Sequence, residues 1–267
     1  MTNNNLKTGM KKIFFLAGLP RAGNTLLSSI LNQNPNIAVT ANSVTIDMLL
    51  TVSEIKDTGA FKNFPDHQSF NNVTQRIFDL YYKDWKQTYI IDRGYWGTRT
   101  NLKILKETQK DIKIIVLTRD IIEVLASFIR RFFPDNFDYK LNSKMVEEQC
   151  HILIRQSVVL KNLEAIKHLL LTKNRSLHHL VKYNTLVEFP ERTIKEIYDY
   201  LEIPHFKHRY INLDQFELNK IKYDDTVLGF KKPLHSIKTD RIEKSDYDAY
   251  SIIPQAIVEE YKKDWLL

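Results

Sequence analysis

The first ordered signal in the chain is a continuous apolar run, Lys12 to Ala17, closed by Gly18 and Pro20. So short a run, bounded by turn residues, predicts a central parallel strand, where both rows of side chains are buried and must be apolar. Past the turn, Leu26, Leu27, Ile30 and Leu31 recur at helical spacing until Asn34-Pro35 stops them, with Asn24 or Thr25 placed to cap the helix. Thr88 to Ile91 and Ile112 to Leu117 are further short apolar runs that end in polar turns and lead toward helical patterns. Asp120 to Phe132 opens on a capping aspartate and carries Ile121, Val124, Leu125, Phe128 and Phe132 on one stripe. From Val146 to Leu171 the apolar positions trace one long amphipathic helix, almost free of Gly and Pro. Leu177 to Tyr183 reads as a strand and Pro190 to Leu201 as a helix. This alternation predicts an α/β, P-loop-like three-layer fold with a central parallel β-sheet flanked by helices. Beyond Pro204 the pattern weakens, and residues 212–245 are polar, with Gly229 and Pro233 near their middle, as expected of loops covering a site.

Size and composition narrow the picture. A chain of 267 residues with 43% apolar residues has enough core for one domain over residues 1–267, with residues 1–10 expected to be a disordered tail. The net charge of +7 favours an anionic ligand, yet 32 acidic residues interleave with 39 basic ones and no long basic run occurs, which weighs against nucleic acid. Lys11-Lys12 ahead of the first apolar run imitates a signal peptide, but the run is too short, and no stretch approaches the roughly 18 apolar residues of a membrane span. A single cysteine, Cys150, cannot form an internal disulfide, and no paired Cys/His spacing suggests a metal site. The expectation is a soluble, cytoplasmic protein without a membrane partner.

The chemistry concentrates first at Gly18-Leu19-Pro20-Arg21-Ala22-Gly23-Asn24-Thr25. A strand, a Gly-containing loop and a helix start make an anion cradle, because the first helical amides lack intrahelical partners and carry partial positive charge. Against the pattern G-x-x-x-x-G-K-[ST], the chain supplies Gly18, Gly23 and Thr25 but has Asn24 where lysine belongs, and its cation is Arg21. The missing lysine argues against nucleoside triphosphate hydrolysis.

Phe15 to Leu27 resembles the 5′-phosphosulfate-binding loop of the sulfotransferase family, closest to its tyrosylprotein branch, whose loop reads Pro-Arg-Ser-Gly-Thr-Thr-Leu. Ala22 and Asn24 are the departures. Ile114 to Asp120 resembles the family's strand ending in an arginine, and Ser127 follows at the family's spacing. The resemblance implies that Arg119 and Ser127 bind the 3′-phosphate that distinguishes the donor from ATP. An arginine at the carboxyl end of a parallel strand suits that role, while an ion pair with Asp120 or another acid is the plainer alternative. Val181 to Pro190 resembles the family's Tyr-x-x-Leu-x-x-x-Pro strand and turn, which lays Tyr183 against the nucleotide. Pro20, Arg21, Ala22, Gly23, Asn24 and Thr25 would then hold the 5′ end. Lys231 and Lys232 are further candidates to close over the phosphates.

The implied activity is transfer of a sulfuryl group from 3′-phosphoadenosine 5′-phosphosulfate to a hydroxyl or amine of a small-molecule, glycan or peptide acceptor, with adenosine 3′,5′-bisphosphate as product and no metal. Arg21 is the candidate to stabilise charge on the leaving oxygen, and Arg93 resembles the family's second catalytic cation. Aligning Asn34-Pro35 with the family's His-Pro puts neutral Asn42 where the family has its catalytic glutamate. The proton acceptor is therefore open among Asp92, which a strand end favours, Asp47 and His235. A P-loop kinase using Mg-ATP and an inactive nucleotide-binding protein of the same fold are the competing readings.

Overall fold

The structure, a computed structural model, describes residues 11–172, 175–224, 227 and 235–262. The segment 1–10 thus lies outside the described residues, as do Lys231 and Lys232. The chain begins with β1 (Lys12–Gly18) and α1 (Asn24–Leu31), then β2 (Ile37–Val39), α2 (Val44–Glu54), α3 (Gly59–Asn63) and α4 (His67–Tyr81). Next come β3 (Tyr89–Arg93), α5 (Arg99–Thr108), β4 (Ile114–Thr118), α6 (Ile121–Phe132), α7 (Ser143–Gln156) and α8 (Val158–Leu171). It ends with β5 (His178–Lys182), α9 (Tyr183–Glu188), α10 (Pro190–Leu201), α11 (Ala249–Ile252) and α12 (Gln255–Lys262).

The strands form one parallel sheet in the order β2-β3-β1-β4-β5, flanked by helices as the alternation predicts. β1 is central, and Phe15, Leu16 and Ala17 are fully buried, as are Ile114 to Leu117 in β4. Each fully buried Leu or Ile contributes about 1.5–3 kcal/mol, so these two runs anchor the core. β2 was not legible because three residues show no period. Among the described residues, no helix is long and apolar enough to cross a membrane.

Two expectations need correction. The long helix over residues 146–171 is two helices, α7 and α8, parted at Ser157, whose backbone is extended (φ −121, ψ −176). Its hydroxyl accepts from the Val159 amide at 3.0 Å and donates to the Leu153 carbonyl, so a serine does the work of a Gly or Pro break. Tyr183, expected to finish a strand, opens α9 directly after β5. The segment 205–248 contains no α-helix or strand among its described residues beyond the isolated bridges Ile211 to Arg241 and Leu218 to Ile221, in keeping with loops.

The turn after β1 is set by backbone conformation. Arg21 (φ 64) and Gly23 (φ 88) are both left-handed, and Gly23 is the N-cap of α1 without any side-chain cap bond. Neither Asn24 nor Thr25 caps the helix. Asn24 turns inward, its amide nitrogen donating to the Leu19 carbonyl at 2.6 Å, which pins the loop against the helix start. A β-carbon on Gly18 would lie 1.8 Å from Asn24 Oδ1, and one on Gly23 would lie 2.8 Å from Tyr183 Cδ2. Gly23→Ala should therefore cost about 1–3 kcal/mol in chemical denaturation, the range for a strained backbone residue. A loss below a few tenths would mean that the turn relaxes freely.

Among the described residues the core also holds one carboxylate. Asp92 is 0% exposed; its Oδ2 accepts from Thr45 and from Tyr82 at 2.6 Å, while Trp96 Nε1 donates to its carbonyl at 3.0 Å. Burial pushes the Asp92 carboxyl above the usual carboxylate range, outweighing the hydrogen bonds from Thr45 and Tyr82 that pull it down. A raised folded-state value means that its stabilisation is complete below the unfolded value of about 3.9 and is lost as pH rises through the folded value. The Tm of the wild type minus that of Asp92→Asn should therefore fall as the pH is raised from about 4. A gap that widens with pH would show that the hydrogen bonds win.

Candidate active site

Because every strand is parallel, all five carboxyl ends meet at one edge of the sheet, where ligands of open α/β sheets bind. In register, Leu16 lies beside Arg93, Gly18 beside Leu117, and Thr118 beside Lys182. The phosphate loop follows β1, Arg93 ends β3, Arg119 follows β4 and Tyr183 follows β5. The fold thus brings together the two proposed anion-binding segments and the second cation.

Arg119 is the best-held of these groups. Its side chain is only 6% exposed. Its Nε donates to Glu123 Oε2 at 2.7 Å, Nη1 to the Arg21 carbonyl at 3.0 Å, and Nη2 to Ser245 Oγ at 2.8 Å. The guanidinium carbon stands 4.2 Å from the centre of the Tyr183 ring. The acid beside Arg119 is therefore Glu123, one turn along α6, whereas Asp120 caps α6 by accepting from the Ile122 amide at 2.7 Å. Arg21 reaches across the same gap, its Nε donating to Ser127 Oγ at 3.0 Å. A cavity of about 160 Å³ opens beside Arg119 and Tyr183, walled on the far side by Lys244, Ser245, Tyr247 and Tyr250. The i+4 spacing of Glu123 was readable in the sequence. Ser245 and Lys244 carry no local signal and are found only through the fold.

The β3 side of the edge is built differently. Thr40 Oγ1, just past β2, accepts from the Arg93 amide at 2.8 Å. Arg93 Nη1 donates to the Tyr223 hydroxyl, which in turn donates to the Ala41 carbonyl at 2.9 Å. The His235 ring stacks on Tyr223 with centroids 3.7 Å apart and planes 2° apart. His235 is thus joined to Arg93 through one phenol. Asp47 is exposed in the first turn of α2 and accepts from Tyr95 Oη at 3.3 Å. Burial and then the Asp47 charge push the Tyr95 phenol upward. Asn42 is exposed between β2 and α2.

Asp92, the sequence-favoured base, does not open onto this edge. Strand alternation sends it into the core, with Tyr82 and Thr45, while Arg93 next to it faces the site. Trp96 packs in the core against Phe15 and Phe78 and takes no position in the site. Among the described residues, no group of three or more His, Cys, Asp or Glu side chains could hold a metal ion.

Comparison with known proteins matches residues 14–208 to the model of the Sulfotransferase family. The chain is 22% identical over 255 residues to a Caenorhabditis briggsae protein named as a candidate protein-tyrosine sulfotransferase, covering 91% of this chain and 84% of that one. The solved sulfotransferase domain from the curacin biosynthetic pathway shares the fold, with a TM-score of 0.50 at 17% identity over 95% of this chain and 98% of that one. Mouse sulfotransferase SULT7A1, solved in complex with PAP, matches at a TM-score of 0.44 and 14% identity over 74% of this chain and 62% of its own. The family match spans the phosphate loop, Arg93, Arg119, Ser127 and Tyr183 and takes in more than half of the sequence; the chain belongs to the sulfotransferase family.

Proposed function

We propose that this protein transfers a sulfuryl group from 3′-phosphoadenosine 5′-phosphosulfate to a hydroxyl or amine of its acceptor, in the cytoplasm. The observation that carries this reading is the interlock of Arg21, Arg119 and Ser127: Arg119, at the neighbouring strand end, donates to the Arg21 carbonyl, and Arg21 in turn donates to the Ser127 hydroxyl. The donor carries two separated anionic groups, and this arrangement offers one binding segment for each. Its missing loop lysine and its family membership both argue against the kinase alternative.

The residues fit such a donor. The uncapped start of α1 leaves amides for the 5′ phosphosulfate, with Arg21 beside them. Arg119 and Ser127 suit the 3′-phosphate, and Tyr183, stacked under Arg119, suits the nucleoside between the two anions. When bound, the donor supplies the sulfuryl group and departs as adenosine 3′,5′-bisphosphate. Arg21 holds charge on the leaving oxygen, and Arg93 holds charge on the group in transit. A hydroxyl acceptor must also give up its proton, and with Asp92 sealed in the core we assign that proton to His235, the candidate linked to Arg93, ahead of Asp47. Cys150 takes no part, since burial pushes its thiol up to about 12.

Adenosine 3′,5′-bisphosphate should raise the Tm without magnesium, at saturation by the several degrees expected of roughly 2–3 kcal/mol of ligand stabilisation. Stabilisation by Mg-ATP alone would refute the reading. Arg119→Ala should weaken bisphosphate binding at least about tenfold and adenosine 5′-phosphate binding about twofold or less, a difference set by one charged hydrogen-bonding group. Equal losses in calorimetry would remove Arg119 from the 3′-phosphate.

A further inference from the structure

The second cation is positioned by a residue far along the chain and beyond the segment matched to the family. Tyr223 is held on three sides: its hydroxyl donates to the Ala41 carbonyl at 2.9 Å, His235 stacks flat on one face, and the buried Phe216 ring lies 5.2 Å away at 51°. The phenol oxygen, fixed in this way, accepts from Arg93 Nη1. An arginine side chain has several rotatable bonds and loses rotamer freedom when ordered, so a pre-fixed acceptor sets which way its remaining donors point. The Arg93 backbone is pinned separately, by its amide on Thr40 Oγ1. Tyr223 therefore controls the guanidinium without being needed to place the strand end.

We infer that Tyr223 is a positioning residue for sulfuryl transfer: held through its hydroxyl on the Ala41 carbonyl, it aims Arg93 at the sulfuryl group. This rests on the donor assignment above and extends it to a residue outside the phosphate-binding segments. Removal of the hydroxyl alone should weaken contact with the sulfuryl group while leaving the nucleotide contacts intact.

The test is binding by calorimetry of two probes, 3′-phosphoadenosine 5′-phosphosulfate and adenosine 3′,5′-bisphosphate, to wild type, Tyr223→Phe, Arg93→Met and the double variant. Tyr223→Phe keeps the ring against His235 and Phe216. It should lower the preference for the sulfated donor severalfold, up to about tenfold for a hydrogen bond to a charged group, with bisphosphate affinity unchanged. In the Arg93→Met background the same substitution should have no further effect, because the two residues act as one unit. Equal weakening of both probes by Tyr223→Phe marks a structural residue and overturns the inference, as does a full effect that persists without Arg93. A wild type that binds neither nucleotide overturns the donor assignment itself, whereas binding of both without preference for the sulfated one removes Arg93 from the sulfuryl group and Tyr223 with it.

Discussion

A guanidinium presents its donors in one rigid plane, and burying that plane costs several kcal/mol unless partners meet it on all sides. Arg119 is buried and met by four partners, Glu123 on α6, the Arg21 carbonyl in the phosphate loop, Ser245 in the late segment and the Tyr183 ring at the start of α9, which take up three of its five N–H donors and one face of its plane. These partners come from four separate stretches of the chain, so this one cation links the segments that meet on the β1-β4-β5 half of the site edge. The left-handed Arg21 is part of the same arrangement. Its conformation turns its carbonyl toward Arg119 while its side chain runs to Ser127. A non-glycine residue in that region carries strain of about 1–2 kcal/mol, which the bonds from Arg119 and to Ser127 offset.

The parts of this arrangement that follow from local chemistry could be read from the sequence. The β1 run, the glycines around the loop, the β4 run and its terminal Arg119 each rest on a pattern within about ten residues, and all fall where expected. Features failed to show where one residue decides between two local outcomes. Ser157 reads as an ordinary helical position, yet its hydroxyl serves the backbone on both sides and ends α7. Asn24 reads as a cap, yet it is spent on the Leu19 carbonyl, which leaves the amides of α1 open to an anion. A capped helix would be a poorer cradle, so the misreading falls on a position on which the proposed donor site depends.

Asp92 and Arg93 illustrate the limit of reading strand ends. A parallel strand buried on both faces has no apolar alternation to reveal which residue faces the site, since both rows are apolar up to the last residue. The sequence therefore places a carboxylate and a guanidinium together at the end of β3 without separating them. The fold sends the carboxylate inward to Thr45 and Tyr82 and the guanidinium outward to Tyr223. The inward acid still bears on the site, for Thr45 lies in the first turn of α2, the helix whose entry loop carries Ala41 and Asn42. Asp92 thereby ties that loop to β3 from beneath.

The late segment is the least legible part of the chain, and it touches both halves of the edge. Tyr223 reaches Arg93, and Ser245 reaches Arg119. The segments proposed to hold the donor lie within the stretch matched to the family, whereas Tyr223, His235 and Ser245 lie beyond residue 208. Under the proposed function the division has a physical basis: the donor is common to the chemistry and needs a rigid strand-end cradle, while the acceptor must enter and leave.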